Sequence, residues 1–180
     1  TEKIGFPIKG EGKPIFSYPG KPGWNKISLE WMSWGYGIAI TPLQTLTLYN
    51  AVANNGVMVK PRFIRELRKE NRVEKIFHKE IINPKIASAE TIKILKKVLE
   101  NVVVKGTANN IYSSSFSMAG KTGTAKKYVA RHVNKKGDTI SGRYSNKRYV
   151  ASFAGFFPAD IPKYSCIVVI HDPKKGKGYY

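Results

Sequence analysis

The stretch Ala119-Gly120-Lys121-Thr122-Gly123-Thr124-Ala125 places two glycines, one cation and two hydroxyls within seven residues. It sits in a segment, Phe116 to Ala125, whose composition predicts a strand. Gly123 has no side chain to hold off another backbone, so an extended peptide can add along such a strand. Lys121 supplies a positive charge for a scissile bond or a carboxylate beside it. Thr122 and Thr124 alternate along the strand and share one face, where their hydroxyls suit a carboxylate. A backbone N–H at the same place suits half of an oxyanion hole. The competing reading is a small-residue turn in an ordinary strand. A phosphate-binding loop is excluded, because Gly120-Lys121-Thr122 would need a glycine at position 115, which is Ser115.

Two further strands are predicted after it, Arg148 to Phe157 and Lys163 to His171. The turn-rich Pro158 to Pro162 between them is short enough to join antiparallel neighbours. The polar, Gly-containing stretch from Lys126 to Lys147 reads as an exposed loop. Upstream, Thr41 is an N-cap, Pro42 fits the first helical position and Gln44 completes a capping box. Leu43, Leu46, Tyr49, Val52 and Ala53 then recur at helical spacing, and Asn54-Asn55-Gly56 ends the helix. A second helix starts at Ser88, with Ile92, Leu95, Val98, Leu99 and Val102 as its apolar stripe and Lys105-Gly106 as its end. Residues 57–82 between the helices predict a small basic hairpin with its turn at Lys69 to Arg72. The Gly- and Pro-rich first 25 residues predict a long loop, anchored by Trp24, Trp31 and Trp34. Helices followed by clustered strands define an α+β class.

The chain carries 31 Lys+Arg against 12 Asp+Glu, a net +19. Such a field attracts anionic partners. Nine of the basic residues fall between Lys121 and Arg148, opposed only by Asp138. That run, with Tyr128, Tyr144 and Tyr149 nearby, motivates a rival function as a basic nucleic-acid-binding module. No recognised nucleic-acid motif accompanies it. Cys166 lies in an apolar run and reads as core filler, and a single cysteine cannot form an internal disulfide. His78, His132 and His171 show no metal-ligand spacing, so no metal or cofactor is implied. No apolar run is long enough to span a membrane.

Lys121-Thr122-Gly123 resembles the third signature of the penicillin-binding proteins and serine β-lactamases. The context extends the resemblance. Trp34 to Gln44, reading Trp-Gly-Tyr-Gly-Ile-Ala-Ile-Thr-Pro-Leu-Gln, is similar to the Gly-x-Gly-x-x-Val-Thr-Pro-Leu-Gln segment of class B penicillin-binding proteins. Ala51 to Gly56 resembles the end of the helix that follows it there, and Val103 to Thr107 the segment before the motif strand. Tyr149 to Asp160 resembles the family's fourth strand and turn. The likeness runs from about Ile4 onward and is strongest to the septal, cell-division type.

The resemblance implies a partial transpeptidase fold, with an antiparallel sheet and packed helices. It implies a serine acyltransferase that acts on the D-Ala-D-Ala end of a peptidoglycan stem peptide and is acylated by β-lactams. Lys121 would belong to the charge and proton network around the nucleophile. Thr122, Gly123, Thr124 and Ala125 would bind substrate, Thr122 and Thr124 through its carboxylate, and the Thr124 N–H would serve the oxyanion hole. Further expectations are divisome partners, no nucleic acid, and a place on the periplasmic face of the inner membrane, held there by an N-terminal transmembrane helix absent from this sequence. A non-catalytic β-lactam sensor of the same fold is the remaining alternative.

The sequence departs from the family in one respect. None of its serines has Lys three positions later or Asn two positions later, so neither Ser-x-x-Lys nor Ser-x-Asn is present. Residues 1–180 are therefore expected to be the C-terminal portion of one transpeptidase domain, without its nucleophile and final helix, and inactive alone. Uncovered apolar surface and an unpaired sheet edge then favour non-native self-association.

Overall fold

A computed structural model describes residues 11–21, 23–133 and 139–174, with the side chains of residues 130–141 excepted. In chain order the elements are β1 (Ile15–Phe16), α1 (Ser28–Ser33), β2 (Ile38–Ala39), α2 (Pro42–Ala53), β3 (Met58–Val59), β4 (Glu66–Lys69), β5 (Arg72–Ile76), β6 (Ile81–Asn83), α3 (Ala89–Lys105), β7 (Ala119–Val133), β8 (Thr139–Phe157) and β9 (Tyr164–His171). The main sheet is antiparallel with order β7-β8-β9, as the α+β reading requires.

Helix α2 begins as the sequence predicts. Gln44 N–H donates to Thr41 Oγ1, and Thr41 N–H donates to Gln44 Oε1, a reciprocal cap. Its end is turned by Asn55 and Gly56, both at positive φ. Helix α3 is capped by Ser88, whose hydroxyl accepts from Thr91 N–H. The buried line of α3 differs from the predicted stripe. Ile92 and Val103 are buried and Leu99 is half-buried, whereas Leu95 and Val98 are exposed. Positions 92, 99 and 103 lie on the line of α3 that packs against α2 and β7, and sequence periodicity alone does not distinguish it from the neighbouring apolar line.

The core joins the layers: Val52 from α2, Ile92 from α3, Ala119 and Phe156 from β7 and β8, and Ala159 from the turn beyond. Ala119 and Phe156, at 0% and 1% exposure, are register partners. Asn50 of α2 donates to Ser165 of β9, which fixes which face of the sheet the helix covers.

Residues 57–83 do form a hairpin, built as two short ladders. β3 pairs with β6, and β4 with β5 around Glu70 and Asn71, both at positive φ. Of the first 25 residues, read as a loop, residues 1–10 and 22 lie outside the described ones, and the rest is irregular apart from the two-residue β1. β1 pairs with β2, and α1 carries Trp31 into an aromatic cluster. The largest departure concerns Lys126 to Lys147, read from the sequence as an exposed loop. Strands β7 and β8 continue through most of it as a two-stranded ribbon, with Tyr128 opposite Tyr144. The aromatic contacts explain why polar composition misled. Tyr144 stacks on Trp31 and meets Tyr36 and Tyr128 edge to face, so four rings hold the ribbon to α1 and the segment after it.

Candidate active site on the open edge of β7

Strand β7 is an outer strand of the three-stranded sheet, paired with β8 on one side. The predicted site residues lie at its beginning. Lys121 pairs with Ala154, Thr122 with Phe153, Gly123 with Ser152, Thr124 with Ala151 and Ala125 with Val150. Lys121, Thr124 and Ala125 are exposed, and Thr122 and Gly123 are half-buried.

The Lys121 ammonium donates to the Thr122 carbonyl at 2.7 Å and to Thr122 Oγ1 at 3.1 Å. Thr107 Oγ1 lies 2.8 Å from the same Thr122 Oγ1. Thr122 is therefore held from two sides, by a cation from its own strand and by a hydroxyl from outside the sheet. The Val103–Thr107 segment contributed to the family resemblance, yet no signal in it singled out Thr107 as a partner of the motif.

The end of α3 explains how Thr107 arrives there. Gly106 N–H and Ala108 N–H both donate to the Val102 carbonyl, which turns the chain sharply. A Cβ on Gly106 would stand 2.8 Å from Val102 Cα and from its carbonyl oxygen, so only glycine permits this closure. Ala108 is then buried, and Thr107 between them points to β7.

Gly123 admits a close neighbour, but on the inside. A Cβ there would meet Ser152 Oγ of β8 at 2.6 Å, and Ser152 Oγ donates weakly to the Gly123 carbonyl at 3.5 Å. The bareness of position 123 thus seats β8, and the outward edge of β7 stays open among the described residues.

Below the site, Ser117 braces the start of β7. Its hydroxyl donates to Asp160 at 3.0 Å and accepts from Ala159 N–H at 2.9 Å. The Ser117 hydrogen bond, followed by backbone donors, holds the Asp160 carboxyl below its ordinary range. Asp172 at the far end of β9 accepts from Arg148 Nη2 at 2.8 Å and from Lys127 Nζ at 2.7 Å, so all three strands meet in one ion cluster. Hydrogen bonds from Arg148 first and Lys127 second push the Asp172 carboxyl well below the usual carboxylate range. Two hollows on the α2 side of the molecule do not include Lys121 to Ala125. The site is an exposed strand edge, suited to an extended ligand.

An antiparallel sheet backed by helices, whose outer strand carries Lys-Thr-Gly-Thr on an open edge, is the arrangement that the resemblance to the penicillin-binding class implies. Residues 2–180 match the family described as the penicillin binding protein transpeptidase domain, and the chain belongs to that family. It is 29% identical over 175 residues to Stage V sporulation protein D of Bacillus subtilis, covering 96% of this chain and 25% of that protein. It is 32% identical over 162 residues to Peptidoglycan D,D-transpeptidase FtsI of Escherichia coli K12, covering 90% of this chain and 24% of that protein. The chain thus spans about a quarter of the length of these relatives. Among solved structures, apo penicillin binding protein 3 of Mycobacterium tuberculosis superposes with a TM-score of 0.77 at 27% identity, covering 96% of this chain and 37% of that one. The same protein has been solved in complex with aztreonam, with a TM-score of 0.72, 28% identity and coverage of 95% and 37%.

Proposed function

We propose that this chain is the C-terminal part of a septal-type peptidoglycan D,D-transpeptidase and supplies the substrate-binding edge of its active site. The observation that carries this reading is the convergence of Lys121 and Thr107 on Thr122, on the open edge of β7, in a chain matched throughout by the transpeptidase family.

The donor stem peptide lies along that edge as an added strand. Its terminal carboxylate meets the Thr122 and Thr124 hydroxyls. A serine from a segment preceding this chain attacks the carbonyl of the D-Ala-D-Ala bond, and the Thr124 N–H stabilises the developing oxyanion. Lys121 places positive charge beside the nucleophile and takes part in its proton network. D-Ala leaves, and the acyl group passes from the serine to the amine of a neighbouring stem. A β-lactam enters as the donor and stays attached to the serine. No Ser-x-x-Lys occurs in the chain's 180 residues, so the chain alone forms no acyl-serine. Divisome proteins as partners, periplasmic location and an N-terminal membrane anchor belong to the same proposal.

The test compares this chain with the longer protein that contains it, using a labelled β-lactam and intact mass spectrometry. The expected result is an adduct on the longer protein and none on the chain. Lys121→Ala in the longer protein is expected to slow adduct formation by about 10²–10⁴-fold, the range for losing a group in the proton network. A folded longer protein that takes no label overturns the transpeptidase reading. A label on the chain itself overturns the assignment of the nucleophile to another segment.

A further inference from the structure

Apart from Lys121, little of the chain's excess positive charge lies in the proposed active site, and part of it collects elsewhere. Two hollows of about 490 and 340 Å³ adjoin on the α2 side of the molecule, sharing Asn50, Val59 and Lys79. The first is bounded by the end of α2, by Lys96 of α3 and by the β8–β9 connection from Asp160 to Tyr164. The second runs on between Lys60 and Arg62 of the hairpin and Ser165 of β9.

Five cations line the pair, Lys60, Arg62, Lys79, Lys96 and Lys163, against one carboxylate, Asp160. That carboxylate is already engaged by Ser117. Lys60 is paired with Glu80. Lys96 donates to Asn55 Oδ1 at 2.8 Å and Arg62 to the Phe77 carbonyl, both neutral acceptors. Lys79 and Lys163 have no ion-pair partner among the described residues. Burial also pulls the Lys96 ammonium down from its ordinary pKa, so a bound anion would restore what desolvation removes. Amides supply the rest of the lining. Asn50 and Asn54 spend N–H groups on Ser165 Oγ and the Val57 carbonyl, which leaves their oxygens as acceptors for a ligand N–H.

Cations that lack carboxylates, set among side-chain amides in a long concavity, match a ligand with carboxylates along an amide backbone. We propose that this groove docks an acidic, extended peptide segment of a partner protein, with its carboxylates on Lys79, Lys96 and Lys163. The phosphates of a duplex or of an anionic bilayer bring acceptors alone, whereas the Asn50 and Asn54 oxygens need donors, which a peptide backbone carries beside its carboxylates. The groove lies apart from Lys121 to Ala125, so this docking does not depend on the reading of the active site.

The probe is a fluorescein-labelled hexaglutamate peptide, titrated into the 180-residue chain at low salt by fluorescence anisotropy. Lys79→Glu with Lys163→Glu is expected to weaken binding at least tenfold. The control reversal Lys69→Glu with Lys85→Glu changes net charge equally outside the groove and is expected to weaken it by less than threefold. In the unsubstituted chain, bound peptide is expected to shield Lys79 and Lys163 from acetylation, read by peptide mass spectrometry. Equal weakening by both reversals, or unchanged acetylation of Lys79 and Lys163, overturns the proposal by showing a general charge effect. Tighter groove-dependent binding of a six-nucleotide DNA strand or of phosphatidylglycerol vesicles overturns it in favour of that class of partner.

Discussion

At Thr122 two neighbours compete for one hydroxyl oxygen, the Lys121 ammonium and the Thr107 hydroxyl. Thr107 does not sit on the strand edge, so its effect on a ligand passes through Thr122, and it acts as a positioning residue. Thr107→Val removes the hydrogen bond with little change of volume. A neutral hydrogen bond contributes about 1 kcal/mol, which corresponds to a loss of about fivefold in β-lactam acylation of the longer protein. Thr107→Ser should restore the rate; a Ser variant as slow as the Val variant would mean that the methyl contact, and not the hydroxyl, matters. Asp172 offers a second prediction at this scale. Its carboxyl titrates below its unfolded value of about 3.9, because Arg148 and Lys127 favour the ionised form. A depressed carboxyl stabilises the fold above that unfolded value, and the contribution disappears as pH falls below about 4 toward the folded value. Asp172→Asn keeps a residue tolerant of the positive φ at this position and abolishes the titration. Thermal melts should show a shallower loss of stability from pH 5 to pH 2 in the variant than in the unsubstituted chain. Parallel acid curves would remove Asp172 as the titrating group.

Elements were legible in proportion to how local their causes are. The cap at Thr41, the stop at Gly56, the cap at Ser88 and the antiparallel pairing of β8 with β9 all rest on signals within a few residues. The β7–β8 ribbon rests on contacts between residues over a hundred positions apart, Trp31 with Tyr144, and polar composition concealed it. The same holds for α3, where the sheet selects Ile92 and Val103 and leaves Leu95 and Val98 outside. At the site, Lys121 to Ala125 were readable as a motif, whereas Thr107 needed the fold to bring the end of α3 to β7. The ribbon gives the prediction at this scale. Tyr144 contacts Trp31, Tyr36 and Tyr128, and each ring pair contributes about 0.5–1.5 kcal/mol. Tyr144→Ala should raise amide exchange at residues 126–129 and 143–146 at least tenfold while leaving α2 unchanged. Exchange that stays slow in the ribbon would show that backbone pairing alone holds it.

For the whole molecule, one face of the sheet is covered by helices and the other is largely uncovered among the described residues. Ala154, Phe156 and Ser165 face the helices, while Tyr164, Val168 and Ile170 stand on the opposite side. Val168 and Ile170 remain 54% and 52% exposed, although both lie within a strand of the central sheet. Leu95 and Val98 add a second uncovered apolar line on α3, and the outer edge of β7 is unpaired among the described residues. Contiguous apolar surface of this kind drives association, and an open edge directs it. The opposing force is the net charge of +19, which keeps copies apart at low ionic strength. Salt screens the charge over about 8 Å at 0.15 M and leaves the apolar attraction in place. The chain is therefore expected to sediment as a smaller species at low salt and to shift to dimers or larger species as salt and concentration rise. Val168→Lys with Ile170→Lys should abolish that shift. If self-association instead weakens with added salt, charge pairing and not the uncovered face holds the copies together.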